Sequence, residues 1–362
     1  MTETKTRKRV LSGMRSTGKL HLGNYVGALA NWVGMQDRYE CFFMVADWHA
    51  LTTDYADTSR IKENSLEVAL DWLAAGLDDK KSTIFIQSHV PAHAELHLLF
   101  SMITPLGWLE RVPTYKEQRE NIKDKDLGTY GFLGYPVLQA ADILVYKADF
   151  VPVGEDQVAH VELTREVARR FNGFYCRALE VPSPVTMIAG GLPMTVPQPP
   201  VLPEPQALLT PSPRLPGTDG RKMSKSYGNA ILLTDPEPVL RQKLKTMVTD
   251  PARVKRTDKG DPDKCPVGDL HKIFSSKETM ARVYAGCRSA GIGCIECKNW
   301  VADALVQLLI PMQEKRRKFE NNPRLAWDIL EEGSRRANQA AAKTMTDVRA
   351  AMGMSLEYEG PK

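Results

Sequence analysis

The sequence predicts an α/β protein: a doubly wound, Rossmann-like parallel sheet followed by a helical C-terminal domain, with the division at 1–228 and 229–362. Three observations carry this. Short β-rich runs alternate with longer amphipathic stretches through the first half of the chain. Proline then crowds residues 181–215, and after Tyr227 the pattern is helical almost to the end.

The first candidate strand, Arg7–Leu11, runs into a glycine-bearing stretch, Ser12 to Asn24. Gly13, Gly18 and Gly23 allow backbone to approach a ligand closely, and Asn24 opens a helix to Gln36 whose first amides can receive an anion. His21 stands just before that helix, where its imidazole can donate to a phosphate oxygen. The glycine spacing is neither the dinucleotide fingerprint nor a Walker loop. Strands at Cys41–Ala46, Thr83–Gln87 and Phe150–Val153 alternate with helices at Thr58–Leu73, Ala94–Thr104 and Gln157–Phe171. Ligands of such sheets bind beyond the carboxyl ends of the strands.

Tyr135, Gln139 and Asp142 fall at i, i+4 and i+7, one face of a helix. Asp142 among apolar neighbours is either a satisfied structural carboxylate or an acceptor for a ligand donor, and an indole N–H, donor only, matches it. The proline-rich stretch reads as an excursion of extended segments with a hairpin, since proline suits neither helix interiors nor central strands. Next, Gly217 to Ser226 combines turn glycines with Arg221, Lys222 and Lys225, a basic loop able to close on a triphosphate and neutralise charge. The helical patterns Glu237–Thr249, Lys277–Ser289, Lys298–Phe319 and Leu325–Met352 complete the chain.

With 43% apolar and 25% charged residues the composition is that of an ordinary globular protein, which excludes wholesale disorder. The net charge of +4 is mild, but Arg241, Lys243, Lys245, Arg253, Lys255, Arg256 and Lys259 face only Asp250 and Asp258 over one stretch. That run is either a solvated face or a phosphate footprint. Met1 to Arg9 lacks the apolar core of a signal peptide, and the apolar runs are too short to span a bilayer, so a cytoplasmic protein is expected. Six cysteines in that setting point away from disulfides. Cys41 and Cys176 read as core thiols. Cys265, Cys287, Cys294 and Cys297, spaced C-x21-C-x6-C-x2-C with glycines between, read as ligands of zinc or an iron–sulfur cluster, or as unligated thiols.

His21-Leu22-Gly23-Asn24 resembles the HIGH element of class I aminoacyl-tRNA synthetases, and Lys222 to Ser226 matches their KMSKS element letter for letter. Asn24 replaces the second histidine of that element. Tyr135 to Asp142, Val151 to Gln157 and Asp47 to Thr53 resemble the bacterial tryptophanyl-tRNA synthetases. The resemblance implies a catalytic domain of the HUP type, with the KMSKS loop at 222–226, and an anticodon-binding helical domain. It also implies a homodimer that activates tryptophan with ATP and Mg²⁺ and transfers it to tRNA(Trp). His21, Lys222 and Lys225 would stabilise charge in the reaction. ATP would lie against Arg15, Ser16, Thr17, His21, Gly23, Asn24, Gly154, Glu155, Asp156, Leu215, Lys222, Met223, Ser224, Lys225 and Ser226. Tryptophan would lie against His49, Tyr135, Gln139, Asp142, Val151, Val153 and Gln157. The four late cysteines resemble those of a subset that holds a 4Fe-4S cluster near the anticodon. A tyrosyl enzyme, whose phenol site needs both donor and acceptor, and a nucleotide-binding regulator on the same fold are the alternatives.

Overall fold

Apolar side chains point both ways from the central strands, so the sheet has to be covered on both faces. The computed structural model describes residues 7–113, 115–116, 126–176, 179–181, 194–196, 198–209 and 214–355. Its strands are β1 (Arg9–Arg15), β2 (Glu40–Ala46), β3 (Ser82–Ile86), β4 (Phe150–Val153), β5 (Leu179–Val181), β6 (Met194–Val196) and β7 (Gln206–Leu209). Five of them pair in parallel in the order β3-β2-β1-β4-β7, while β5 and β6 form a separate antiparallel pair. Val10, Phe43, Val45, Ile84 and Ile86 enter one core with Trp32 and Trp72; Leu11, Phe42, Met44 and Phe85 enter the other. Trp32 stacks on Phe43 with ring centroids 4.9 Å apart.

Two departures from the sequence reading shape the site. β1 continues four residues past Leu11, in register with β2 as far as Arg15 opposite Ala46, so the glycine stretch begins inside the sheet. A Cβ at Gly13 would meet the Met44 carbonyl at 2.7 Å, which is why glycine stands there. The first helix opens at Leu22 rather than Asn24: α1 (Leu22–Asn24) passes through a π turn at Tyr25–Leu29 into α2 (Ala30–Met35). β7 was not anticipated, because it is drawn from the proline-rich excursion. It pairs with β4 alone, as an edge strand, where neighbouring prolines cost no ladder bonds. Much of the excursion lies outside the described residues.

The remaining helices are α3 (Asp47–Asp54), α4 (Ile61–Ala75), α5 (Ala92–Ser101), α6 (Leu106–Leu109), α7 (Tyr130–Leu144), α8 (Val158–Tyr175), α9 (Glu237–Thr246), α10 (Pro266–Phe274), α11 (Lys277–Arg288), α12 (Cys294–Glu320) and α13 (Pro323–Ala351). The core continues without a break past residue 228: Leu240, Val301, Leu305 and Leu309 pack with Trp32 and Trp72. α13 lies along the outer edge of β3, with Ala326 and Leu330 in the first core and Ala337, Ala341, Met345 and Val348 in the second. Gly333 lets it approach, for a Cβ there would stand 1.8 Å from the Ile84 carbonyl. Ser334 and Arg336 then bond backbone of β3 and the turn before it. No described helix is long and apolar enough to cross a membrane.

Candidate active site

Strand order reverses between β1 and β4, because β2 and β3 were laid to one side of β1 and β4 and β7 to the other. At that switch point, beyond the carboxyl ends of β1 and β4, lies a cavity of about 380 Å³, the size of a small-molecule site. His49, Tyr135, Gln139, Asp142, Val151, Val153 and Gln157 all line it, with Arg15 and Gly154 at its margin. Gly27 and Ala28, in the π turn, form part of its wall, in keeping with the tendency of π turns to mark functional sites.

Asp142 is 1% exposed, and its carboxylate gathers donors from three other elements. Gln87 Nε2 (2.8 Å) and His93 Nδ1 (2.6 Å) donate to Oδ1, and His49 Nε2 donates to Oδ2 at 2.8 Å. Burial pushes the carboxyl pKa up, but the bonds from His49 and His93 outweigh it and hold the group well below the usual carboxylate range. The ionised group offers about four lone-pair directions, so one on Oδ2 stays available. Behind it, the Tyr146 hydroxyl lies 2.8 Å from His93 Nε2. Sequence reasoning missed Gln87, His93 and Tyr146. The available signal was His93 and His97, one turn apart on one helix.

The glycine turn and the basic loop meet beside this cavity. Lys225 Nζ donates to the carbonyls of Thr17 (2.5 Å), Lys19 (2.9 Å) and Gly18 (3.3 Å), so the loop is shut onto the turn. Leu22 N donates to Ile231 O and Leu233 N to Leu20 O, both at 2.9 Å, zipping the chain after the loop to the turn. Asn229 holds the loop's shape: its amide donates to Asp219 and to Lys222 O, and its oxygen accepts Ser224 N–H. Leu215 and Met223 are buried and bonded backbone to backbone, Ser224 and Ser226 pair through their hydroxyls, and Lys222 is exposed.

Asn24, in the place of a second histidine, caps its own helix by accepting His21 N–H at 3.1 Å. A Cβ at Gly23 would meet the His21 ring at 2.9 Å. Burial, then Lys225 and Lys222, push the His21 pKa down from 6.5 to about 4, so the ring is neutral at pH 7. Arg15 is fixed by Ala50 O, Thr53 and Asp54. Ser16 is buried, its hydroxyl without a partner among the described residues. Gly154 precedes a 3-10 turn, Glu155–Gln157. The Asp156 side chain lies outside the described residues.

Cys265 caps α10, Cys287 is in α11, and Cys294 and Cys297 occupy the first turn of α12. Burial, then Cys265, Cys287 and Cys294, push the Cys297 thiol up to about 12, so the four sulfurs feel one another. Among the described residues, however, no three His, Cys, Asp or Glu side chains are set as metal ligands. The basic run needs correction as a phosphate footprint. Arg253 is buried and donates to Ile292 O, Arg256 O and Cys287 Sγ, while Arg256 donates to Ala290 O and Gly291 O. Both arginines brace the cysteine region, Arg253 from the interior and Arg256 from the surface, and Lys255, Arg256 and Lys259 remain exposed cations in that part of the run. Cys41 is a core thiol, but Cys176 is only half-buried, 3.6 Å from Asn172 Oδ1.

A protein family described as "tRNA synthetases class I (W and Y)" matches residues 3–310. The chain is 50% identical to a tryptophan–tRNA ligase of Ralstonia nicotianae over 395 residues, spanning 96% of this chain and 99% of that one. It is 52% identical to a tryptophan–tRNA ligase of Thermotoga maritima over 348 residues, again 96% and 99%. Its fold is similar to that of tryptophanyl-tRNA synthetase from Campylobacter jejuni complexed with ADP and tryptophan, with a TM-score of 0.80 and 30% identity over 95% of this chain and 99% of that one.

The position of His21 predicts a titration. Its folded pKa near 4 lies below the ordinary 6.5, so the unfolded chain binds the proton more readily between these values. The stability contributed by the neutral ring is present above pH 6.5 and declines as pH falls toward 4. An NMR titration of the His21 ring protons in the ligand-free protein is expected to show a midpoint near 4, and a midpoint near 6.5 would mean the ring is solvated and clear of both lysines.

Proposed function

The chain belongs to the class I tRNA synthetases that serve tryptophan and tyrosine, and we infer that its amino acid is tryptophan: it acts as a tryptophan–tRNA ligase. It joins L-tryptophan to ATP as tryptophanyl-adenylate, releasing pyrophosphate, and then transfers tryptophan to the 3′ end of tRNA(Trp). The observation that supports indole over phenol is the ionised Asp142 with one lone pair left beside His49, an acceptor matched to a group that only donates.

In the proposed arrangement the indole N–H meets Asp142 Oδ2 beside His49. Val151 and Val153 flank the ring, and Tyr135, Gln139 and Gln157 face the polar end of the amino acid. A tryptophan carboxylate oxygen attacks the α-phosphorus while the bond to the bridging oxygen of pyrophosphate breaks, so no side-chain nucleophile is required. The protein supplies in-line positioning and charge stabilisation. ATP accompanied by Mg²⁺, which neutralises phosphate charge, is typical of the family. His21, as a neutral donor, and Lys222 and Lys225 are assigned to the phosphates. Lys225 has to leave the carbonyls of residues 17–19, or carry that turn with it, to reach them. Arg15, Ser16, Thr17, Gly23, Asn24, Gly154, Glu155, Asp156, Leu215, Met223, Ser224 and Ser226 are assigned to the walls of the ATP site, with the unused Ser16 hydroxyl a ready donor. A cytoplasmic location, a catalytic domain at 1–228 and an anticodon-binding domain at 229–362 belong to the same proposal.

A homodimer is proposed on an exposed apolar patch. Leu98 (56%) on α5, Met102 (68%) just after it and Leu106 (61%) on α6 lie uncovered, and Tyr130 (62%) sits beside His97 of α5. A 4Fe-4S cluster on Cys265, Cys287, Cys294 and Cys297, with zinc as the alternative, is proposed on their spacing and on their places at the start of α10, in α11 and in the first turn of α12. Arg253 Nη1 lies 3.7 Å from Cys287 Sγ, a donor suited to anionic sulfur, and His271 Nε2, which donates to Cys297 O at 3.0 Å, fixes the first turn of α12. Such a cluster would tie the start of α12 to α10 and α11.

Three outcomes are expected. Pyrophosphate exchange into ATP should depend on tryptophan and not tyrosine, and Asp142→Asn should weaken tryptophan binding by roughly 1.5–3 kcal/mol, the worth of a charge-assisted hydrogen bond; unchanged affinity would leave Asp142 purely structural. Sedimentation should give the mass of two chains, and Leu98→Glu with Met102→Glu the mass of one; a wild-type monomer ends the dimer proposal. Anaerobically purified protein should be brown with absorption near ~400 nm. Cys294→Ser with Cys297→Ser should remove the colour and weaken tRNA charging while sparing adenylate formation. Colourless protein with bound zinc would replace the cluster with a zinc knot.

A further inference from the structure

The turn that carries His21 is held from behind by a buried carboxylate that none of the foregoing chemistry uses. Asp71 of α4 is 2% exposed, and its Oδ2 accepts the Leu20 N–H at 2.6 Å, one residue before His21. Its Oδ1 is paired with Arg316 Nη1, a guanidinium that is itself 3% exposed. Arg316 also engages Glu67 through Nη2 and Glu320 through Nε. Arg316 belongs to α12, the helix that begins at Cys294, roughly 33 Å away at 1.5 Å per residue. One turn earlier on α12, Gln313 donates to Leu233 O (2.9 Å) and Asp235 O (3.0 Å), in the segment zipped to Leu20 and Leu22. Asp71 is also the charge that partly offsets the effect of burial on Lys225.

We propose that Asp71, clamped by Arg316, is a positioning residue for adenylate formation: it fixes the backbone of the His21 turn and makes that turn answer to the placement of α12. The argument runs through directionality. Leu20 N–H is turned into the interior toward α4 and requires a buried acceptor, whereas Leu20 O accepts the Leu233 N–H. A carboxylate fixed by a guanidinium is an acceptor that cannot rotate away, which a neutral amide is not. A displacement of α12 at Arg316 therefore moves Asp71 and Leu20 with it, and His21 with them. Among the described residues, Leu20, Asp71, Gln313 and Arg316 do not line the cavity around Asp142.

The inference rests on the reading of His21 as part of the nucleotide site, and the test separates the two. In tryptophan-dependent pyrophosphate exchange, Asp71→Asn is expected to lower kcat by about ten- to a hundredfold, the scale of an ångström-level misplacement. KM for tryptophan should be unchanged and KM for ATP raised. Arg316→Lys should lose less than Arg316→Met. Should Arg316→Met fail to fold for want of a partner to Asp71, Asp71→Asn with Arg316→Met removes both members of the pair and restores a packable interior. A purely structural pair predicts that this double variant, once folded, exchanges at the wild-type rate, and that result overturns the proposal. Equal losses in tryptophan and ATP binding overturn it as well. Slow exchange in His21→Ala with normal exchange in Asp71→Asn removes the positioning role alone, whereas normal exchange in His21→Ala removes the nucleotide-site reading beneath it.

Discussion

A carboxylate that must stay ionised inside an apolar sheet protein is the constraint around which the site is arranged. Asp142 can be charged at 1% exposure only because α3, the 3-10 turn after β3, and α5 each bring a donor to it. Those donors fix the relative placement of four chain segments at the carboxyl ends of the strands. The geometry of the cavity is thus set by a polar requirement, while its walls are supplied by ordinary packing. His93 could not be replaced by an apolar ring of similar size without leaving both Asp142 and the Tyr146 hydroxyl short of a partner.

The second organising feature is the short zipper between residues 20–22 and 231–233. It brings together two motifs that the sequence separates by about two hundred residues. The basic loop is therefore anchored at its far end by backbone pairing and shaped internally by Asn229. Gly217 is needed for this, since a Cβ there would stand 2.3 Å from the Asn229 side chain. Within that frame Lys225 is held by three carbonyls that themselves carry no negative charge.

The sequence made local features legible and long-range ones invisible. β4 was read at its true bounds, and the face shared by Tyr135, Gln139 and Asp142 proved to be a face of α7 lining the cavity, because both rest on periodicity within one element. The two signature strings were readable because they are contiguous. β7 was hidden because its four residues sit among prolines and gain their identity from β4. α3 was missed because β2 leads directly into it without a turn signal. Asp71 and Arg316, 245 residues apart, carry no local sign of their pairing. Arg253 read as surface charge yet is buried, since nothing nearby in the chain announces that the Ile292 carbonyl would take up its guanidinium group.

The placement of α13 along β3 has a bearing on how the chain is made. Ile86 and the Ser334 side chain that meets it are 248 residues apart, so during synthesis the outer strand of the sheet is complete long before its cover exists. Throughout that interval the nascent chain presents an unpaired row of amides and carbonyls flanked by Ile84 and Ile86, the kind of edge to which other chains add. The order in which the ribosome delivers the elements therefore makes α13 a guard against self-association as well as a part of the core.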